Sequence, residues 1–348
     1  MNRKIKFYIV GILSLIIIVV AGSLFFVINK DWQENKIHEL EIQKIMEQNV
    51  EICENIKKID GLCYSEDEEP FVYAVMIENH VDARPASGLS QASLVYEAIV
   101  ESPITRFLAV FSSDRDIPEI GPVRSARPFY VDWAKEFNGP YVHVGGSNEA
   151  LDLIAKTYSL DVNEFSEGKS FWRKWTRRQP HNVYTSTTLL KELFDVKKWD
   201  VTNDFESWKF EPEVKSQADL PEQTVRVDFA TYAFTIDWKF DQQKNDYLRY
   251  QAGAVHEDKD GTEIRAKNVA IMYTESKVID SYGRRKTKTT GTGTAIVFRG
   301  GEAIEGTWIR PSVNARTRFY NSNRNEIVFL PGTTWIEVIP DHFLEVKY

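Results

Sequence analysis

Residues 7–28 run for 22 positions without a charged side chain, flanked by Arg3, Lys4 and Lys6 on one side and by Lys30 and Asp31 on the other. As a helix this stretch would rise roughly 33 Å, enough to cross a hydrocarbon core of about 30 Å. The cations on its amino side predict a cytoplasmic tip and transmembrane anchor over residues 1–30, with the rest of the chain outside the cell membrane as a single-pass, extracytoplasmic protein. The competing reading, a cleaved secretory signal, needs an apolar core of about 7 to 15 residues and a small-x-small exit site. Ala21-Gly22-Ser23 sits inside the apolar run, which favours the uncleaved anchor and makes the lipid bilayer a partner through residues 7–28.

Residues 31–60 are charged, proline-free and rich in helix formers, and Asp60-Gly61 supplies a stop, so residues 31–70 are expected as a helical stalk and linker. Ile42, Ile45, Asn49, Ile52, Ile56 and Ile59 follow heptad spacing. Either a short coiled coil, and with it a homo-oligomer, or a lone helix lying on its own globule satisfies that pattern. Beyond Pro70 short apolar runs alternate with helical patterns, as in an α/β layer structure. Strands are expected at 71–77, 94–100, 107–111 and 141–144, and helices at 128–137 and 148–158. Periodicity fades over 201–221, read as a linker. From 222 to 348 alternation of period two takes over, at 225–229, 234–238, 295–298 and 335–339. Turn signals at Asp260-Gly261, Gly300-Gly301 and Pro331-Gly332 have the spacing of a sandwich or open barrel. The expected fold is therefore an α/β module over 71–200 followed by a mostly-β module over 222–348, on an anchor and stalk.

Composition changes this picture little. The chain is 43% hydrophobic and 13% aromatic, ample for packed cores, and its net charge of −8 excludes a general nucleic-acid binder. Cys53 and Cys63 are its two cysteines; outside the membrane they could close one loop as a disulfide, remain free, or bond a neighbouring chain.

Candidate chemistry is densest at 121–128, where Arg124 and Arg127 precede a helix opened by Pro128. Their forked donors suit a phosphate or carboxylate; the alternative is pairing with Glu97 or Glu101. Next comes the strand-turn-helix around His143, Gly145, Gly146 and Ser147, whose free backbone N–H groups could receive an anion, or which is a turn and nothing more. Asn79, His80 and Arg84, and His181 and Asn182, lie in loops after apolar stretches, where acid–base groups are often carried. No metal-ligand spacing occurs, so neither a metal site nor a cofactor is expected. The loop 171–178 interleaves aromatics with cations, fit for sugar rings, anionic headgroups or simple shielding of the core, and 284–288 reads as a solvated loop. No nucleophile elbow, Walker loop or paired-carboxylate signature appears.

The runs Ile77-Glu78-Asn79-His80, Ala83-Arg84-Pro85-Ala86-Ser87-Gly88, Val95-Tyr96-Glu97-Ala98, Thr105-Arg106-Phe107, 120–128, Pro180-His181-Asn182 and Pro331-Gly332-Thr333-Thr334-Trp335 resemble the YerB-like family of bacterial envelope proteins. The resemblance implies a membrane-attached exterior protein with an α/β part and a β-rich part, in a family of unknown function. Some members look like lipoproteins, whereas this chain has a spanning segment and no early cysteine. A fainter similarity is to the LytR-CpsA-Psr envelope phosphotransferases, in which an arginine and acidic residues hold a lipid diphosphate and magnesium. Arg124 and Arg127 would then be diphosphate clamps, although Pro122-Val123-Arg124-Ser125 lacks the family's adjacent acid. The leading expectation is an exterior module binding an anionic envelope ligand through Arg124, Arg127 and the 145–147 turn, with Asn79, His80, Arg84, Arg106, His181 and Asn182 nearby. A second is a phosphotransferase or hydrolase acting on polyprenyl-diphosphate-linked glycan, using magnesium and drawing its catalytic groups from Glu97, Glu101 and His143. A third is a scaffold for other envelope proteins.

Overall fold

The computed structural model describes residues 36, 55–65, 67–101, 103–211, 223–229, 231–342 and 346–348. The expected anchor at 7–28, Cys53 and nearly all of the expected stalk lie outside them. Among the described residues no helix is long and apolar enough to cross a membrane. Residues Asn55–Tyr348 form one compact unit.

In chain order the strands of the amino-terminal half are β1 (Val72–Glu78), β2 (Leu94–Glu101), β3 (Ile104–Ser112), β4 (Tyr141–His143), β5 (Asp161–Asn163), β6 (Trp172–Arg173) and β7 (Val183–Tyr184). Three helices join them: α1 (Pro128–Ala134), α2 (Asn148–Thr157) and α3 (Thr187–Lys197). The second half contributes β8 (Thr224–Asp228), β9 (Thr235–Asp241), β10 (Asp246–Gln251), β11 (Ala254–Val255), β12 (Arg265–Ala266) and β13 (Asn268–Thr274). It ends with β14 (Ser276–Val278), β15 (Arg285–Thr287), β16 (Gly291–Arg299), β17 (Glu302–Arg310), β18 (Arg318–Asn321) and β19 (Thr334–Pro340).

Ten strands make one mixed sheet in the order β18-β17-β16-β13-β19-β2-β3-β1-β4-β5. The mostly-β second part is as expected, but it does not close into a sandwich or barrel of its own. β19 lies between β13 and β2, parallel to both, so the two halves of the chain share one sheet. β8 to β12 form a second, smaller sheet.

Both faces of the large sheet are covered over its central strands. Tyr73, Val75, Ile77, Val95, Phe107 and Trp335 point to one face, where they pack against α3 and the small sheet through Leu190, Phe194, Val225, Ile236 and Trp238. Ala74, Met76, Tyr96, Leu108 and Ile336 point to the other, against Phe129, Tyr130 and Trp133 of α1 and Ala150 and Ile154 of α2. Double coverage is why β1 is buried along its whole length and reads as an unbroken apolar run rather than an alternation. α1 starts as expected, with Pro128 in its first turn, and passes into a 3-10 turn over Lys135–Phe137 closed by Asn138 at φ 49°.

The helix expected to run to Asp60 does not reach it. Ile56 pairs with Cys63 in a bridge, and Gly61 turns the chain at φ 67°. Ile59, a predicted seam position, is instead buried in the core of the globule. Asp60 accepts a 2.6 Å hydrogen bond from Ser93 Oγ, and Lys57 Nζ donates to Asp114 at 2.8 Å, so contacts with the globule replace helix continuation. Cys63 is disulfide-bonded.

Where the small sheet meets the large one, the apolar layer is interrupted by charge. Arg249 of β10 donates to Glu97 of β2 at 2.5 Å, and both side chains are wholly buried. The guanidinium is ringed by Phe107, Trp238 and Trp335, with Trp335 4.8 Å away. Glu97 also accepts from Thr105 Oγ1 at 2.6 Å and from Asn79 Nδ2 at 3.2 Å. Glu337, its register partner on β19, accepts from Trp238 Nε1 at 2.8 Å and shares a side-chain hydrogen bond with Glu97. Burial, and then the neighbouring Glu97 carboxylate, push Glu337 well above the usual carboxylate range. Two acids therefore lie beside one guanidinium, and burial favours the protonated form of Glu337.

Removing one partner of such a pair strands the other, so Arg249→Met should cost about 3–5 kcal/mol. Urea denaturation measures it, and a loss under about 1 kcal/mol, the size of an ordinary substitution, would show that the pair does not join the sheets. Glu337 adds a pH dependence. Above about pH 4.3 the unfolded chain releases this proton while the folded chain keeps it, so the stabilisation from neutral Glu337 is complete below that pH and drains away as pH rises towards its folded pKa. Glu337→Gln imitates the neutral acid. The urea midpoint of this variant relative to the unsubstituted chain should rise as pH increases above about 4.3, and a difference independent of pH would contradict the assignment.

Candidate functional site

β1 and β4 run parallel through Ala74–Tyr141 and Val75–Val142 and then part. The segment 122–126 threads the gap: Arg124 N–H donates to Met76 O, Val144 N–H to Arg124 O, and Ala126 N–H to Gly145 O. Open α/β sheets place ligands in this crevice, at the carboxyl ends of parallel strands. Here the chain fills it with its own arginine-bearing segment. Gly121 makes the entry possible. It sits at φ 147°, and an added Cβ would stand 2.9 Å from Tyr184, from Val123 N and from Val183 O.

Three guanidinium groups meet at this edge. Arg106 is the register partner of Glu78 across β1 and β3. It is only 2% exposed, and its Nη1 donates to Ser125 O at 2.7 Å. Arg124 Nε donates to Glu78 Oε1 at 2.9 Å, and Arg127 pairs with Glu101. Burial, then the like charges of Arg127 and Arg124, lower Arg106 to about 10. Burial alone would raise Glu101, but the hydrogen bond and charge of Arg127, with Arg106 and Arg124 behind it, bring it below its usual value. Three cations thus face two carboxylates, Glu78 and Glu101. The buried Nε atoms of Arg106 and Arg127 have no hydrogen-bond partner, and a buried donor without an acceptor costs about 1–3 kcal/mol. An anion with several oxygens is the chemical complement of such a cluster.

Glu78 extends the cluster to the histidines. Its second oxygen lies 2.8 Å from His181 Nδ1, and the His181 ring stacks on His80 with centroids 4.8 Å apart. Glu78, 4% exposed, therefore bridges guanidinium and imidazole. It is absent from the sequence-derived candidates. The signal available was its position as the last residue of an apolar strand, just before a loop carrying Asn79 and His80.

Other candidates are held in structural roles. Asn79 is buried between Glu97, Thr105 and Gln251. Arg84 donates to Asn79 O and to Ala233 O and lies over Phe234; burial, then Arg249, lowers it to about 10. Asn182 holds the β6–β7 hairpin, accepting from Arg173 at 3.2 Å. His143 is buried with both ring nitrogens against oxygens, Gly145 O and Asp161 Oδ1, each at 2.7 Å. Gly145 takes the expected positive φ and Ser147 caps α2, but Gly145 N–H is spent on Asn163 Oδ1 and Ser147 N–H on Ala126 O. Glu97 belongs to the Arg249 pair. Arg106, Arg124, Arg127, His80, His181 and Glu101 are the candidates that converge. In the 171–178 loop Trp175 is 93% exposed, whereas Phe171 is buried.

Fold and site together describe a layered α/β protein with an arginine cluster at its strand ends. Residues 61–200 match the family described as protein of unknown function (DUF3048), N-terminal domain, and residues 225–336 match its C-terminal domain. YerB of Bacillus subtilis (strain 168), provisionally named a lipoprotein, is 34% identical over 275 residues, 77% of this chain and 81% of that protein. The crystal structure of the YerB protein from Bacillus subtilis superposes with a TM-score of 0.74 at 31% identity, covering 83% of this chain and 97% of the other. The chain belongs to this YerB-like family.

The entry of 122–126 can be tested at Gly121. Gly121→Ala forces a side chain into three contacts at a φ that L residues avoid, and should destabilise the chain by about 1–3 kcal/mol. A urea midpoint equal to that of the unsubstituted chain would mean that the segment is not pinned there.

Proposed function

We propose that this chain is a membrane-anchored extracytoplasmic protein that binds an anionic cell-envelope group, bearing phosphate or carboxylate, at Arg106, Arg124 and Arg127. The observation that carries the reading is the excess of guanidinium over carboxylate in that cluster, with the buried Nε atoms of Arg106 and Arg127 unpartnered. The anchoring part of the proposal rests on the apolar residues 7–28 and on the name of the Bacillus subtilis relative.

One observation favours a second reading, a phosphotransferase or hydrolase acting on a diphosphate-linked glycan. His181 turns its Nδ1 to the Glu78 carboxylate, which Arg124 also holds, the arrangement that leaves the lone pair on Nε2 as a general base would need. Glu97 cannot serve that chemistry while it is buried against Arg249, so Glu101 is left as the acid of the original pair.

Both readings meet in one titration. The full-length chain in neutral detergent is titrated by calorimetry with inorganic pyrophosphate and with a short-chain polyprenyl diphosphate, with and without magnesium. Saturable binding is expected, weakened at least about 10-fold in the Arg124→Ala, Arg127→Ala double variant by loss of charge-assisted hydrogen bonds. Equal affinity in a folded double variant removes the anion reading. Phosphate release that requires magnesium favours the enzyme, and no binding of either probe returns the choice to the scaffold.

A further inference from the structure

His80, Asp82 and His181 come from two loops about a hundred residues apart in sequence, yet a nitrogen or oxygen ligand atom from each lies within 4.8 Å of the others. The hydrogen bonds around them decide which imidazole lone pairs are available. His181 Nδ1 faces a carboxylate oxygen of Glu78 at 2.8 Å, so it is the donor and Nε2 carries the lone pair. His80 Nδ1 accepts the Asp82 N–H at 3.2 Å, so its lone pair lies on Nδ1, which is 3.6 Å from Asp82 Oδ2. Each ring thus keeps one nitrogen lone pair, and that of His80 lies beside the Asp82 carboxylate.

We infer that His80, Asp82 and His181 form a binding site for a divalent first-row transition ion, with Glu78 as the residue that orients His181. Two imidazoles and one carboxylate are a donor set for Zn²⁺, Mn²⁺, Fe²⁺ or Co²⁺, and Mg²⁺ would prefer oxygen donors. A ligand histidine commonly gives its other ring N–H to a carboxylate, which fixes tautomer and orientation; Glu78 does this here before any ion is considered. Glu78 is in turn held by Arg124 at 2.9 Å, so a single carboxylate joins the ion site to the arginine cluster. An ion at about 2.1 Å from each ligand needs them roughly 3.4 Å apart. The His80 and His181 rings are stacked with centroids 4.8 Å apart, so binding requires the His80 ring to swing off the stack until both lone pairs meet at the ion, and the Asp82 side chain, 71% exposed, to turn with it at the expense of the long bond to His80 Nδ1. This inference does not depend on anion binding, because none of the three ligands belongs to the arginine set.

The test is calorimetric titration of the untagged full-length chain with Zn²⁺, together with the visible absorption of Co²⁺ as a report on coordination. One ion per chain is expected. His80→Ala and His181→Ala should each weaken binding more than 10-fold and abolish the Co²⁺ spectrum. Glu78→Gln should weaken it about 10- to 100-fold through His181. Asp82→Asn, at an exposed position, provides a variant whose fold is not in question and should also weaken binding. Arg127→Ala should leave Zn²⁺ affinity within twofold, which separates this site from the anion cluster. Absence of saturable Zn²⁺ binding, or equal affinity in the His80→Ala and His181→Ala variants, overturns the inference.

Discussion

The contact on which the rest of the structure depends is the pair between Glu97 and Arg249, closed to water between the large and small sheets. A guanidinium surrounded by Phe107, Trp238 and Trp335 cannot keep its charge without a carboxylate, and Glu97 cannot remain ionised on the inner face of β2 without a cation. Each charge is tolerable only if the small sheet sits where it does. A second hub does the same on the opposite face, where Glu136, just beyond α1, takes Arg316 at 3.0 Å, Thr317 Oγ1 at 2.6 Å and Tyr96 at 2.9 Å. Arg310 adds an ion pair to Glu136 and a bond to Asp132 O of α1. In both hubs one partner comes from the first half of the chain and the other from the second. Separating the halves would expose apolar surface and also strand buried charges.

This closure gives the strand ends a fixed frame. β1 is gripped on both faces, and its last residue, Glu78, is placed opposite Arg106 by register. Tyr130 of α1 bonds Arg106 O and Ala98 O, which ties the helix to the same strand ends. The arginines of the hubs and those of the edge differ in their electrostatic surroundings. In the hubs opposite charges alternate inside the closed core, Glu97 and Glu337 beside Arg249, and Arg310 and Arg316 beside Glu136. At the edge three guanidinium groups crowd together with too few acids, and repulsion among them is part of what lowers Arg106. A structure retains such a crowd of like charges at a cost in stability, and this one lies at the strand ends, where open α/β sheets place ligands, whereas the hubs are closed inside the core; that is the physical ground for assigning function to that edge.

Reading the chain as letters recovered most elements because their cause is local. The run at 71–77 is apolar throughout, and those at 94–100 and 335–339 are apolar apart from Glu97 and Glu337, because those strands are covered on both faces, and Pro128 and Ser147 mark the helix starts. The arginines at 124 and 127 were legible for the same reason, as two fixed charges in a short stretch beside a helix start. Glu78, Glu337 and Arg249 were not. Each looks like an ordinary charged residue at or within a strand, and alternation would put such residues in solvent. What makes them consequential is a partner 100 or more residues away, which no periodicity encodes. The bridge at Ile56 misled for a related reason: isoleucines at heptad spacing fit a helical seam equally well as long as the globule that takes Ile59 is unseen.

By itself, then, the sequence determined the alternation of strands and helices, the β-rich character of the second half, the apolar residues 7–28 and the family, because these follow from side-chain pattern and composition over short windows. Only the tertiary structure decided that β19 enters between β13 and β2, that Glu97 is a buried partner of Arg249 and not a free acid, and that His80 and His181 stack beside Glu78. These outcomes belong to long-range pairing. Whether a charge is solvated, paired or left in excess is set by what folds over it, and that cover is supplied by residues far away along the chain.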